Sequence, residues 1–235
     1  MKLVIDTKET INKVVADEFI KVINSKEHPV IGLATGSTPL GVYAELAKAV
    51  KEARVSFKKV HSFNLDEYVG LPVTNDQSYR YFMNYNLFQH VDIDVNNTKV
   101  PTPETYEVYD DMIAKEGGID IQILGLGSDG HIAFNEPGTP FDSLTHLADL
   151  QESTIKDNSR FFASIDDVPT KAMTMGLKSI MNARKIVLIA YGKNKAEAVN
   201  AMFNGPIDES MPASILRNHN DVTIYCDADA ASLLK

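Results

Sequence analysis

The chain has 235 residues and a net charge of −9, and 44% of its residues are hydrophobic while 23% are charged. This composition excludes a disordered, collagen-like or coiled-coil chain, and the acidic balance argues against binding a nucleic-acid backbone through bulk charge. The single cysteine, Cys226, excludes an internal disulfide framework and favours a reducing compartment.

Neither end of the chain nor its apolar runs point to a membrane. Polar residues interrupt the N-terminus, Met1–Asp6, so it does not resemble a signal peptide. The longest clean apolar stretch, Ile186–Tyr191, is far too short to cross a bilayer. We therefore expect a cytoplasmic protein.

Short apolar runs alternate with helical patterns along the whole chain. In chain order, the predicted strands are Val30–Ala34, Val60–Leu65, Ile119–Leu126, Ile186–Tyr191 and Val222–Cys226. The predicted helices are a first one with apolar residues from Ile11 to Ile23, capped by Asp6 with Glu9, then Pro39–Ala53, Gln77–Phe88, Pro103–Glu116, Thr170–Asn182 and Lys193–Phe203. This alternation predicts one α/β domain over residues 1–235, with a mainly parallel sheet and helices on both faces.

Ligands of such sheets bind beyond the carboxyl ends of the strands, so the segments that follow the strands are the informative ones. The first is Thr35–Pro39, in which glycine permits close backbone approach and hydroxyl groups flank a helix start. It could hold a phosphate on free helix amides, or it could be a capped tight turn. It is not a P-loop, because the Gly-Lys-Ser/Thr ending is absent.

The second segment places two adjacent acids, Asp66 and Glu67, after Asn64 at a strand end. Such a pair could supply a general base in a partly desolvated pocket. Two solvated loop acids that cap a turn are the alternative.

The third segment holds Asp129, His131 and Glu136 within a span of eight residues, in a glycine-flanked turn. A histidine oriented by a carboxylate is an acid-base device that works near neutral pH. A metal site is the rival interpretation, since imidazole and carboxylate groups are also metal ligands.

Together these segments resemble the glucosamine-6-phosphate deaminase family. The matching stretches are Leu33–Pro39, Phe63–Pro72, Asp129–Pro137, Asn158–Phe162 and Gly192–Ala196. They occur in the family's order, and the resemblance covers essentially the whole chain. It implies a Rossmann-like doubly wound sheet and conversion of glucosamine 6-phosphate and water to fructose 6-phosphate and ammonium.

The resemblance also implies roles. His131 would open the sugar ring, Asp129 and Glu136 would hold its tautomer and charge, and Asp66 would move a proton from C2 to C1. Every step is a proton transfer, so no metal or organic cofactor is expected. The implied phosphate- and substrate-binding set is Thr35, Gly36, Ser37, Thr38, Glu67, Arg160 and Lys195.

Two other functions remain alternatives. A 6-phosphogluconolactonase shares the sheet and an Asp-Gly-His segment, but that family follows the histidine with Thr-Ala-Ser-Leu-Phe-Pro, unlike Ile132–Pro137 here. A sugar-phosphate sensor of a transcription regulator would carry a DNA-binding module, whereas no basic helix precedes the first strand.

Longer members of the resembled family are hexamers that N-acetylglucosamine 6-phosphate activates through a basic cluster and a longer C-terminal tail. The corresponding stretch here, Phe141–Ser153, holds three acids and no Lys or Arg, and the sequence stops at Lys235. Such a stretch would repel a phosphate. We therefore expect a monomer or small homo-oligomer that acts on a small sugar phosphate, without allosteric hexamer, nucleic-acid or membrane partner.

Overall fold

The computed structural model describes residues 1–234, with residue 157 described by its backbone alone. In chain order the regular elements are β1 (Lys2–Ile5), α1 (Lys8–Asn24), β2 (Val30–Leu33), α2 (Leu40–Lys51), β3 (His61–Asn64), β4 (Asp66–Tyr68), α3 (Tyr79–Asn86), β5 (Thr98–Lys99), α4 (Tyr109–Lys115), β6 (Ile121–Leu124), β7 (His146–Asp149), α5 (Glu152–Asn158), β8 (Lys171–Thr174), α6 (Leu177–Met181), β9 (Ile186–Ala190), α7 (Ala196–Asn204) and β10 (Val222–Cys226).

The main sheet has seven strands in the order β1-β10-β9-β6-β2-β3-β5, and all its pairings are parallel. Every residue of β2, β6, β9 and β10 is buried. Such continuous burial is typical of parallel strands with helices on both faces, and it explains the unbroken apolar runs in the sequence. The predicted doubly wound α/β fold is confirmed.

The position of β2 fixes where the sheet can bind a ligand. The chain runs from β2 outward through β3 to β5 and then returns to the other side of β2 as β6. The loops after β2 and β6 therefore leave the sheet in opposite directions, and a crevice opens between their carboxyl ends.

A second, three-stranded sheet in the order β4-β8-β7 was not predicted from the sequence. It is antiparallel, and its register pairs Asp66 with Thr174. The predicted helix Thr170–Asn182 is wrong in its first half, because Lys171–Thr174 forms the central strand of this sheet and α6 starts only at Leu177. Gly176 separates strand from helix, and a Cβ there would lie 2.2 Å from the Ser143 carbonyl oxygen.

Other predicted boundaries need smaller corrections. The cap of α1 is Thr7, whose hydroxyl accepts from the Thr10 N–H, while Asp6 accepts from the Thr7 N–H. The helix predicted over Pro103–Glu116 is α4, which starts only at Tyr109 after a 3₁₀ turn. Among the helices of residues 1–234, none combines the length and apolar composition that a bilayer crossing requires.

Candidate active site

Four of the predicted segments follow strands that are neighbours in the main sheet, in the order β9-β6-β2-β3. Because the strands are parallel, their carboxyl ends share one edge, and the loops that leave them meet there. The topology thus places the segments around Thr35, Asp66, His131 and Lys195 at a common edge, around the crevice beside β2.

The loop after β2 carries Thr35–Thr38. Gly36 has φ +85° and an added Cβ would meet nothing within 4 Å, so the backbone conformation rather than the space requires glycine here. Pro39 is the N-cap of α2 and provides no side-chain hydrogen bond to the first amides of the helix. Those N–H groups can therefore donate hydrogen bonds to an anion bound at the loop.

Asp66 is the first residue of β4, and a single residue separates β4 from the end of β3. The side chain of Asp66 is buried. Burial, and secondarily the charge of Glu67, raise the pKa of Asp66 to about 8. Both acids are only 7% and 6% exposed, so the alternative of two solvated loop acids is wrong. A carboxyl group with such a pKa can accept and return a proton near neutral pH.

Glu67 accepts backbone hydrogen bonds through both of its carboxylate oxygens. Its Oε1 accepts the N–H groups of Tyr68 and Tyr79, both at 2.9 Å, and its Oε2 accepts the Arg80 N–H at 2.9 Å. Burial raises its pKa, and these three N–H groups oppose that rise. The carboxylate caps the first turn of α3, and its substrate-binding role stays a prediction.

The turn after β6 gathers the predicted acid-base group. His131 Nδ1 lies 2.7 Å from Asp129 Oδ1 and 3.7 Å from Glu136 Oε2. The ring N–H is not aligned as a hydrogen bond to either oxygen, so these contacts act as ion pairs when the ring is protonated. The Asp129 carboxylate also accepts the backbone N–H of His131 at 3.1 Å.

Asp129 stays ionised throughout the neutral range. Burial by itself would raise its pKa, but the contact with His131 outweighs burial and brings the pKa to about 2. A fixed negative charge therefore lies beside Nδ1 of His131.

Gly127 allows the imidazole to lie against the backbone of this turn. A Cβ at this position would lie 2.4 Å from ring atoms of His131, far inside van der Waals contact. A side chain at residue 127 would therefore displace the ring from the two carboxylates.

The segments of Asp66 and His131 are joined through the end of β8. Thr174 pairs with Asp66 across the small sheet, and its hydroxyl accepts the Phe134 N–H at 3.1 Å. The next residue, Met175, donates its N–H to the Leu65 carbonyl at 2.7 Å and accepts from the Asn135 side chain at 2.8 Å. These contacts fix the segment of Asp66 relative to the imidazole turn.

The two predicted phosphate-binding cations occupy separate surface turns. Arg160 is exposed in the 3₁₀ turn after α5, and its guanidinium lies 4.7 Å above the Phe161 ring centroid. Lys195 is partly buried at the N-cap of α7, after β9. Their convergence on one anion stays a prediction.

Other contacts at the site were not predicted. The Asn158 side chain donates to the Tyr68 hydroxyl at 2.8 Å, and the Thr154 hydroxyl donates to Glu136 Oε1 at 2.6 Å. Tyr68 and Asn158 lie inside the motifs quoted above, so their positions carried a signal. Thr154 lies outside every motif and only its tertiary contact reveals it.

Asp129, His131 and Glu136 also offer ligand atoms within 4.8 Å of one another, so this group could hold a metal ion. The Nδ1 atom of His131 faces both carboxylates, and this arrangement could also hold a proton between the ring and the carboxylates instead of a metal ion. Geometry alone therefore permits both interpretations that the sequence left open.

Comparisons with known proteins identify relatives of this chain. The family model described as glucosamine-6-phosphate isomerases/6-phosphogluconolactonase matches residues 6–225. The glucosamine-6-phosphate deaminase of Clostridium perfringens is 53% identical over 242 residues, covering 100% of both chains.

Solved structures agree with this relationship. A monomeric glucosamine-6-phosphate deaminase superposes with a TM-score of 0.96 at 41% identity, covering 99% of this chain and 100% of that one. The 6-phosphogluconolactonase of Trypanosoma brucei gives a TM-score of 0.78 at 20% identity, covering 100% and 98%, and this likeness extends to the fold alone.

Proposed function

The chain belongs to the glucosamine-6-phosphate isomerase/6-phosphogluconolactonase family, and we propose that it converts glucosamine 6-phosphate and water to fructose 6-phosphate and ammonium. The observation that carries the proposal is a buried acid, Asp66, on a segment that the end of β8 joins to the turn of a carboxylate-flanked imidazole, His131. An aldose-ketose conversion needs both, because one group must open the ring and another must move a carbon-bound proton.

Ring opening is the step assigned to His131. The ring oxygen must gain a proton while the C1 hydroxyl loses one, and an imidazole can do both near pH 7. Asp129, at 2.7 Å from Nδ1, keeps that nitrogen protonated, so the opposite nitrogen, Nε2, is the one that exchanges protons with the sugar.

Isomerisation is the step assigned to Asp66. The carboxylate takes the proton from C2 of the open-chain amino aldehyde, and with a proton gained by the C1 oxygen this gives an enolamine. Return of the proton to C1 then gives a ketose imine at C2. Water then adds to that imine carbon and ammonia leaves, taking up a proton as ammonium. No atom is lost or gained in these steps beyond the water consumed and the ammonium released.

The phosphate group is assigned to the side of the crevice formed by the loop after β2. The uncapped amides at the start of α2, with the hydroxyls of Ser37 and Thr38, offer donors without a negative side chain in the first turn of that helix. Arg160 and Lys195 would add charge-assisted hydrogen bonds. Such local donors allow anion binding despite a net charge of −9.

The two alternatives explain less of this geometry. Hydrolysis of a lactone needs no proton transfer at C2, so a buried base with a raised pKa would have no task. A sensor without turnover would need neither Asp66 nor the His131 group. Since the residues need only move protons, a metal is not part of the proposed mechanism.

Release of ammonium from glucosamine 6-phosphate tests the proposal directly. The purified protein should release ammonium and fructose 6-phosphate in equal amounts, and Asp66→Asn should bind substrate but not turn it over. Free glucosamine and 6-phosphogluconolactone serve as comparison substrates. A protein that hydrolyses the lactone and releases no ammonium would overturn the proposal.

The oligomeric state is proposed to be a monomer with hyperbolic kinetics. The solved relative at 41% identity is described as monomeric, and residues 141–153 carry acids where an activating phosphate would need cations. Light scattering, and rates with and without N-acetylglucosamine 6-phosphate, test this proposal. A sigmoidal rate curve that becomes hyperbolic with the acetylated sugar would contradict it. The single-domain organisation and the cytoplasmic location stay predictions.

A further inference from the structure

The two carboxylate oxygens of Glu136 have different surroundings. Oε1 accepts the Thr154 hydroxyl at 2.6 Å and the Gln151 N–H at 3.4 Å. Oε2 is buried without a hydrogen-bond partner among the described residues and lies 3.7 Å from His131 Nδ1. Because a carboxylate is planar, the contacts that hold Oε1 also set the direction of Oε2.

Thr154 is the stronger of the two contacts to Oε1. Its side chain is 4% exposed on α5, and its hydroxyl reaches across 18 residues of sequence to a charged acceptor. A threonine hydroxyl on a helix can bond to a nearby backbone carbonyl or face solvent. The Thr154 hydroxyl is instead committed to a tertiary contact with Glu136.

The helix that carries Thr154 reaches the site in two other ways. Asn158, at its end, donates to the Tyr68 hydroxyl, and Arg160 follows in the next turn. A disturbance of the whole helix would therefore also disturb the segment assigned to the phosphate. A disturbance of the Thr154 hydroxyl alone would not.

We propose that Thr154 is a positioning residue, whose hydroxyl holds Glu136 Oε1 so that Oε2 faces the imidazole of His131. This inference rests on the proposed function and extends it to a residue outside the predicted motifs. Thr154 acts through Glu136 and does not contact the sugar. Its loss should slow the step that needs His131 and leave substrate binding intact.

Two substitutions separate the hydroxyl from the shape of the side chain. Thr154→Val keeps the volume and removes the donor, and it should lower kcat by about tenfold or more with KM within about twofold of the parent. Thr154→Ser keeps the donor and should restore most of the rate. Ser153→Ala, at an exposed neighbour on the same helix, is the matched control and should leave both constants unchanged.

A double variant tests whether the effect passes through Glu136. In a Glu136→Gln background, Thr154→Val should lower kcat by a much smaller factor than it does in the parent. The reason is that the carboxylate that Thr154 positions is already absent. Equal losses in both backgrounds would overturn the inference. So would a raised KM with unchanged kcat, which would indicate a structural role through the Arg160 turn, or a serine variant as slow as the valine one.

Folding and the assigned reaction are checked separately. Thermal unfolding of each variant shows whether it folds, and Thr154→Ala replaces the valine variant if that one does not. Absence of ammonium release by the parent overturns the proposed function itself. Turnover by the parent with an unchanged kcat in both donor-deleted variants overturns this inference alone.

Discussion

Replacing Asp66 with asparagine is expected to stabilise the folded protein at neutral pH while it removes turnover. The carboxyl group is buried beside a second buried acid, Glu67, and its pKa is raised to about 8. In the unfolded chain the same group ionises near pH 3.9. The folded state therefore resists ionisation that the unfolded state accepts freely, and asparagine has no charge to bury.

The sign and size of the effect follow from this difference. An acid that binds its proton more tightly when folded contributes stability that is present below about pH 4 and is lost as pH rises toward about 8. Each pH unit in that window lowers the free energy of unfolding of the parent by about 1.4 kcal/mol. Between pH 4 and pH 7 the parent therefore loses at most on the order of 4 kcal/mol of unfolding free energy through Asp66.

Urea unfolding at pH 5, 6, 7 and 8 measures this directly. The difference in unfolding free energy, Asp66→Asn minus parent, should rise by roughly 1 kcal/mol or more per pH unit and flatten above pH 8. The test relies on how this difference changes with pH and not on its absolute size. New contacts of the asparagine amide add the same amount to the difference at every pH. Asp142→Asn, at an exposed position, controls for the change in net charge. A difference that stays constant from pH 5 to 8 would refute the reasoning.

Three further predictions concern neighbouring residues. Glu67→Gln removes the adjacent charge, so the pKa of Asp66 should fall and the acidic limb of kcat/KM should move to lower pH. Gly127→Ala should lower kcat more than tenfold because its Cβ displaces the imidazole, whereas Gly125→Ala meets nothing within 4 Å and should be nearly silent. Lys195→Ala should raise KM for the sugar phosphate about tenfold or more and leave the poor turnover of free glucosamine unchanged.

Each of these has a result that would contradict it. A pH-rate profile unchanged by Glu67→Gln would show that its charge does not act on the base. Equal losses in the two glycine variants would mean that the loop tolerates no Cβ anywhere, rather than that the imidazole needs the space. Processing of free glucosamine as fast as its phosphate by the parent would remove the basis of the Lys195 assignment.

The main sheet was predictable because burial on both faces leaves a direct trace in the sequence. The residues of β9 and β10, Ile186–Ala190 and Val222–Cys226, are all buried, and both strands read as unbroken apolar runs. The sequence therefore also predicts where such strands end. The polar residues at these ends are the candidate site residues. Residue type and strand end together indicated Asp66 and His131 before any contact was known.

The small sheet was not predictable in the same way. Lys171–Thr174 contains alanine and methionine, which suit a helix as well as a strand, and only its pairing with β4 and β7 selects the strand. This error has a functional consequence. The mispredicted strand is the element that joins Asp66 to the imidazole turn through Thr174 and Met175.

Asp66 and Glu67 show why the roles of site residues are harder to predict than their places. The two acids are adjacent, chemically alike and almost equally buried, at 7% and 6% exposure. Glu67 accepts three backbone N–H groups, and two of them lie at the start of α3, 12 and 13 positions further along the chain. Those groups stabilise its charge, and that charge in turn makes ionisation of Asp66 harder. Helix α3 thus gives the two acids different surroundings, and a sequence motif that contains both acids does not show this difference.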